Sequence, residues 1–109
     1  GYDIWCEVPI TYAQAVLGDS IEVPTIDGKV RLEVKEGTQP GTNMRLRGKG
    51  VQRLQQSGRG DQYVKLIIEV PTNLDRKQKD QLHAFEKSLS DRNYQKRKGF
   101  FDKIKDMFG

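Results

Sequence analysis

Residues 20–34 read SIEVPTIDGKVRLEV. On the outgoing half Val30, Leu32 and Val34 fall on one side, while Lys29, Arg31, Glu33 and Lys35 fall on the other. That period of two belongs to a strand with one dry and one wet face. Asp27-Gly28 between the two halves is a two-residue hairpin signal, because both turn positions need positive φ and these residue types tolerate it. The stretch therefore predicts an antiparallel β-hairpin and sets the chain among mostly β folds.

Upstream, Ile4, Cys6, Val8 and Ile10 alternate with Trp5, Glu7 and Pro9, which predicts another half-buried strand. TYAQAVLG (11–18) follows, where Thr11 and Gln14 form a capping box and Gly18 supplies a left-handed stop, so a short early helix is expected. Downstream, EGTQPGTN (36–43) reads as a loop. MRLRGKGV (44–51) places Met44 and Leu46 on one side and Arg45, Arg47 and Lys49 on the other. Val51 and Leu54 precede a second loop, QQSGRGD (55–61). DQYVKLIIEVP (61–71) is the longest expected strand, with Val64, Leu66, Ile68 and Val70 on its core face. Tyr63 and Ile67 share its other face with Lys65 and Glu69, so that side is expected to be partly covered.

From Asp75 the period changes to that of a helix. Asp75 and Gln78 form a second capping box, and Leu82, Phe85 and Leu89 make an apolar stripe. SDRNYQKRKG (90–99) is polar, basic and aperiodic, which reads as a linker before a terminal FFDKIKDMF (100–108).

At 109 residues the chain has room for one core, and its 35% hydrophobic and 31% charged residues are those of a globular protein. The net charge of +4 is modest for a dedicated nucleic-acid module. Cys6 is the sole cysteine and His83 the sole histidine, which excludes an internal disulfide and leaves no zinc set. No apolar run of 18 residues and no export pattern occurs, so no membrane partner is expected. The chain opens directly on a strand, as a piece of a longer protein would.

The basic stretch 44–51 raises the question of a phosphate loop. A P-loop needs G-x-x-x-x-G-K-[ST], yet Gly48-Lys49 is followed by Gly50, and no glycine stands five positions earlier. G-x-G-x-x-G fails because Arg53 occupies the last place. No aromatic interleaves the row, as a single-strand nucleic-acid platform requires. Arg45, Arg47 and Lys49 are expected to be the solvated face of a strand entering a glycine turn. Arg59-Gly60-Asp61 reads as a turn, Cys6 as a small core hydrophobe, and His83 lacks an acid or nucleophile partner. No catalytic set assembles, so an enzyme is not expected.

Phe100, Phe101, Ile104, Met107 and Phe108 recur on one helical side. So short a helix is not stable alone in water, and it must dock to be ordered. Five such side chains, once buried, supply on the order of 8–15 kcal/mol gross, against an association cost of about 4–15 kcal/mol. Docking on its own domain, or on another copy or another protein, are both open on these grounds. The polar linker favours the second.

Taken in order, the strand at 3–10, the helix ending Leu17-Gly18, VPTIDG, EGTQPGT, RLRGKGV, GDQYVKLIIEVP, the helix after NLD and the closing GFFDKIKDMFG resemble the second C-terminal β-domain of bacterial DnaJ (J-domain) co-chaperones. The resemblance covers nearly the whole chain. It implies a sandwich-like domain of two small sheets with a short early helix, a late amphipathic helix and a C-terminal dimerisation helix. The corresponding limits are 1–90 for the β-domain, 91–99 for the linker and 100–109 for the dimerisation helix. RLRGKG then looks like a structural strand-and-turn signature.

The implied function is homodimerisation through Phe100, Phe101, Ile104, Met107 and Phe108, with a contribution to binding unfolded clients for a DnaK-type chaperone in the cytoplasm. The DnaK-type chaperone would be met through the full-length protein. Trp5 and Ile67 are the candidate client contacts. The family's His-Pro-Asp, its C-x-x-C-x-G-x-G zinc repeats and its first β-domain do not occur here, so no cofactor is expected in this fragment. Lys35-Glu36 stand where many members have a proline. Nucleic acid is not the expected partner. A basic β-module binding RNA or the ribosome is the alternative, resting on Arg45, Arg47, Lys49, Arg92, Lys96, Arg97 and Lys98.

Overall fold

The computed structural model describes residues 3–46 and 60–109. It forms two compact units, Gly1–Pro71 and Thr72–Gly109. The first unit runs β1 (Ile4–Thr11), α1 (Tyr12–Leu17), β2 (Asp19–Thr25), β3 (Gly28–Val34), β4 (Asn43–Leu46) and β5 (Gln62–Glu69).

Two small sheets result. β2 and β3 make an antiparallel pair, and β1, β5 and β4 make a three-stranded sheet with β5 in the centre. β4 runs antiparallel to β5, whereas β1 runs parallel to it, Ile4 opposite Gln62 through Thr11 opposite Glu69. A parallel neighbour requires a long crossover, which the helix, the hairpin and β4 provide. The core lies between the sheets. Ile10, Val64 and Leu66 enter it from one, Val23, Leu32 and Val34 from the other, and Ala15 from α1. Fully burying each of the larger of these stabilises by about 1.5–3 kcal/mol. Cys6, Val8, Ile21, Met44, Leu46 and Ile68 pack around this centre. The mostly β, two-sheet reading with accompanying helices therefore holds.

Local signals hold at both capping boxes: Gln14 N–H donates to Thr11 Oγ1 at 3.1 Å, and Gln78 N–H to Asp75 Oδ1 at 2.8 Å. Gly18 adopts φ +80, and a Cβ there would stand 2.9 Å from the Val34 carbonyl oxygen. Only glycine lets α1 end against that strand.

Two expectations for this unit need correction. The hairpin turns at Ile26-Asp27, with Thr25 paired to Gly28. Only Gly28 takes a positive φ, at +110. Thr25 Oγ1 donates to the Gly28 carbonyl at 2.6 Å and accepts from Asp27 N–H, which shifts the turn by one residue. Val70 is 77% exposed, because β5 ends at Glu69 and no ladder carries the next residue inward. The loop expected at 36–43 is present up to Asn43, where β4 begins, and it is tied to the core: Gly37 and Thr38 N–H groups donate to the Ala15 carbonyl, and Gly41 N–H donates to that of Leu66.

The second unit contains α2 (Arg76–Ser88), a 3-10 turn (Asp91–Asn93) and α3 (Gln95–Phe108). α3 begins five residues before Phe100, so the second half of the stretch 90–99, read as a linker, is helical. Ser90 N–H donates to Asn93 Oδ1 at 2.9 Å, and Tyr94 OH donates to Glu86 Oε2 at 3.3 Å.

Candidate interaction surfaces

Alternation along β1 and β5 puts Trp5, Glu7 and Pro9 beside Tyr63, Lys65 and Ile67 on the outer face of the three-stranded sheet. Trp5 and Tyr63 are direct register partners, and their rings stack with centroids 4.5 Å apart at an interplanar angle of 15°. Offset stacking of this kind adds about 0.5–1.5 kcal/mol beyond area burial. Trp5 nevertheless stays 64% exposed, while Tyr63 and Ile67 are half-buried. Trp5, Cys6, Glu7 and Lys65 line a shallow recess of about 340 Å³ on this face.

Arg45 is the partner of Tyr63 on the opposite strand. It is exposed but not merely solvated. Its guanidinium pairs with Asp61, Nε donating to Oδ2 at 2.6 Å, and that bond pushes its pKa above the ordinary arginine value. Asp61 N–H in turn donates to Asp3 Oδ1 at 2.8 Å, and the Asp61 carbonyl accepts from Ile4 N–H. Asp61 thus ties β4 and the start of β1 to the entry of β5. Arg47 and Lys49 lie outside the described residues, as do Val51, Leu54 and Arg59.

Gln62 is a feature that alternation did not single out. It is buried, donating from Nε2 to the Pro24 carbonyl at 3.0 Å and to Cys6 Sγ at 3.4 Å, and so it bridges the two sheets. Its even position in the β5 pattern was the available signal, since 62, 64, 66 and 68 share one face.

In α3 the five residues singled out do share one side. Phe100, Phe101, Met107 and Phe108 are exposed, Phe108 at 82%, and Ile104 is half-buried. Phe100 and Phe101 meet edge to face at 5.2 Å, and the Arg97 guanidinium lies 4.7 Å from the Phe101 ring centre. Lys98 Nζ and Asp102 Oδ2 pair at 2.8 Å, which raises the lysine pKa and lowers that of the carboxylate. Leu82 and Phe85 of α2 are exposed as well, and so is His83.

Among the described residues no cluster of His, Cys, Asp and Glu stands close enough to hold a metal ion. No described helix is long and apolar enough to cross a membrane. A two-sheet β module with a helical extension bearing an open apolar side is the class this architecture defines. Residues 1–71 match the DnaJ C terminal domain, and residues 77–109 match the Chaperone protein DnaJ C-terminal region. The chain belongs to the DnaJ C-terminal domain family. It is 54% identical over its whole length to the chaperone protein DnaJ of Acetivibrio thermocellus. Over 99% of its length it is 56% and 53% identical to those of Ruminiclostridium cellulolyticum and Clostridioides difficile. It spans 28% of the length of each of these relatives.

Proposed function

We propose that this chain is the dimerisation and client-contacting end of a DnaJ-type co-chaperone, acting for a DnaK-type partner through the longer protein. The observation that carries the reading is the match to DnaJ proteins along the entire chain. The apolar side of α3 supports it, because four large side chains left in water there call for a covering surface. A second copy of the chain is the occupant, and the client surface is the Trp5–Tyr63 face, where aromatic area is open beside charged Glu7 and Lys65. The chain acts by binding in the cytoplasm, not by catalysis. It holds no zinc, and it does not stimulate the ATPase of the partner chaperone alone.

Sedimentation tests the dimer. The intact chain is expected to have twice the monomer mass, and Phe101→Glu combined with Phe108→Glu to have the monomer mass. Two dimeric species would move the interface away from α3, and two monomeric ones would remove self-association from this chain. Suppression of aggregation of a denatured protein, reduced in Trp5→Ala, tests the client surface.

A further inference from the structure

The apolar residues of α3 repeat symmetrically about Ile104. Phe100 and Phe108 stand four residues to either side of it, and Phe101 and Met107 three. At 3.6 residues per turn all five fall within an arc of about 120° centred on Ile104. Arg97 lies seven residues before Ile104, about 20° from that centre, so the arc begins with a cation. Its guanidinium rests over the Phe101 ring, 4.7 Å from the ring centre, and among the described residues no carboxylate pairs with it. Lys98 is engaged by Asp102, away from the arc. The first half of α3, residues 95–101, holds Lys96, Arg97 and Lys98 and no acid, whereas 102–108 holds two lysines and two aspartates.

A pattern symmetric about its centre matches a second copy of itself in either direction, and charge decides between the two. Parallel pairing sets Arg97 against Arg97 of the second copy inside the apolar contact, where like charges repel. Antiparallel pairing centred on Ile104 sets Phe100 level with Phe108 of the second copy, and Phe101 level with its Met107. Arg97 then lies about 4.5 Å beyond the second copy's Phe108. The last carbonyls of a helix lack helical donors and form the negative end of its dipole. Gly109 N–H donates to the Lys105 carbonyl, and the carbonyls after it are suited to a basic side chain from outside. Lys103 and Lys105 stay at the borders in both directions, with stems long enough to reach water, and do not discriminate. We infer that, in the dimer proposed above and on which this reading rests, the two α3 helices pair antiparallel and Arg97 of each caps the carboxyl end of the other. The phenylalanines supply contact area, and Arg97 sets direction. A two-fold axis passes between the Ile104 side chains, so each contact occurs twice.

The test measures dimer dissociation constants for the full chain, for Arg97→Glu and for a mixture of the two, by sedimentation equilibrium and native mass spectrometry. Glutamate is a good helix former and suits the first turn, so α3 keeps its helix, which circular dichroism checks. Arg97→Glu should weaken the dimer by about tenfold or more, because both carboxyl ends then face a like charge. In the antiparallel pair the two positions 97 are far apart, so the mixed dimer should have an affinity midway between those of its parents. A mixed dimer tighter than both parents would mean that the two positions meet and the helices run parallel, which overturns the inference. An Arg97→Glu dimer as tight as that of the full chain also overturns it. Either result leaves the proposed dimer standing. A full chain that is monomeric at every concentration removes the dimer itself, and this inference with it.

Discussion

Arg45 Nε donates to Asp61 Oδ2 at 2.6 Å, joining two residues 16 apart in the chain at the mouth of the three-stranded sheet. Asp61 is much the more covered partner, with 15% of its side chain exposed against 52% for Arg45. The pair closes a chain of contacts, from Arg45 through Asp61 to Asp3, that fixes where β1, β4 and β5 begin. Charge-assisted bonds of this kind are roughly twice as strong as neutral ones. Arg45→Ala and Asp61→Ala should each lower the urea midpoint, and the double variant should cost less than their sum. Strict additivity in that cycle would mean the contact contributes nothing.

Two glycines should respond in opposite directions. Gly18→Ala meets the Val34 carbonyl oxygen and the Glu36 nitrogen at 2.9 and 3.0 Å, at a φ that side chains avoid. A loss of at least about 1–3 kcal/mol is expected in denaturant unfolding. Gly99 lies inside α3 with nothing near its missing Cβ. Gly99→Ala should raise α3 helicity by about 0.8–1 kcal/mol of helix propensity, visible by circular dichroism.

Gln62→Glu tests the bridge between the sheets. A carboxylate in that buried place is penalised by desolvation, so its pKa rises on folding. The sign follows. The folded state then binds more protons than the unfolded state between the two pKa values, and stability falls as pH rises through that window. The deficit relative to Gln62 should be small near pH 4 and exceed about 2 kcal/mol at pH 7. A deficit that stays flat with pH would mean that residue 62 reaches water.

Lys98 and Asp102 give α3 its own pH dependence. Hydrogen bonding to Lys98 holds the Asp102 carboxyl below its ordinary value. Its contribution is present above the ordinary carboxylate range and is lost as pH falls through the lowered value. Between pH 5 and pH 2 the intact chain should lose helical signal that Asp102→Asn has already lost at neutral pH. Identical acid profiles for the two proteins would count against the pair.

Trp5 is the chain's one tryptophan and is largely exposed on Tyr63. Its emission should be that of a wet indole and open to acrylamide quenching. Addition of an unfolded polypeptide should shift it to shorter wavelength if the sheet face holds clients. Tyr63→Ala should weaken that response without unfolding the sheet, since Tyr63 lies outside the buried core. A client that binds with no change at Trp5 would place the client surface elsewhere.

Much of the fold was legible because the signals were local. Period-two alternation put Ile10, Leu32, Val34, Val64 and Leu66 on dry faces, where they are buried. Thr11–Gln14 and Asp75–Gln78 marked helix starts because a cap needs only residues three apart. The stripe of α3 was readable for the same reason, although its true start at Gln95 was hidden by a run of lysine and arginine without apolar periodicity. The Asp27-Gly28 signal named the right turn but not its register, which Thr25 sets through its bond to Gly28.

The sequence alone determined the element types, their order and their dry faces, since propensity, caps and periodicity act over a few residues. The tertiary structure decided which strands are neighbours. It set β1 parallel to β5, stacked Trp5 on Tyr63, brought Asp61 to Arg45 and buried Gln62 against Pro24. It also ended β5 before Val70. A strand's hydrogen-bonding edges accept any partner of suitable length, so alternation names a face but never a neighbour. That choice comes from closing one core between two sheets.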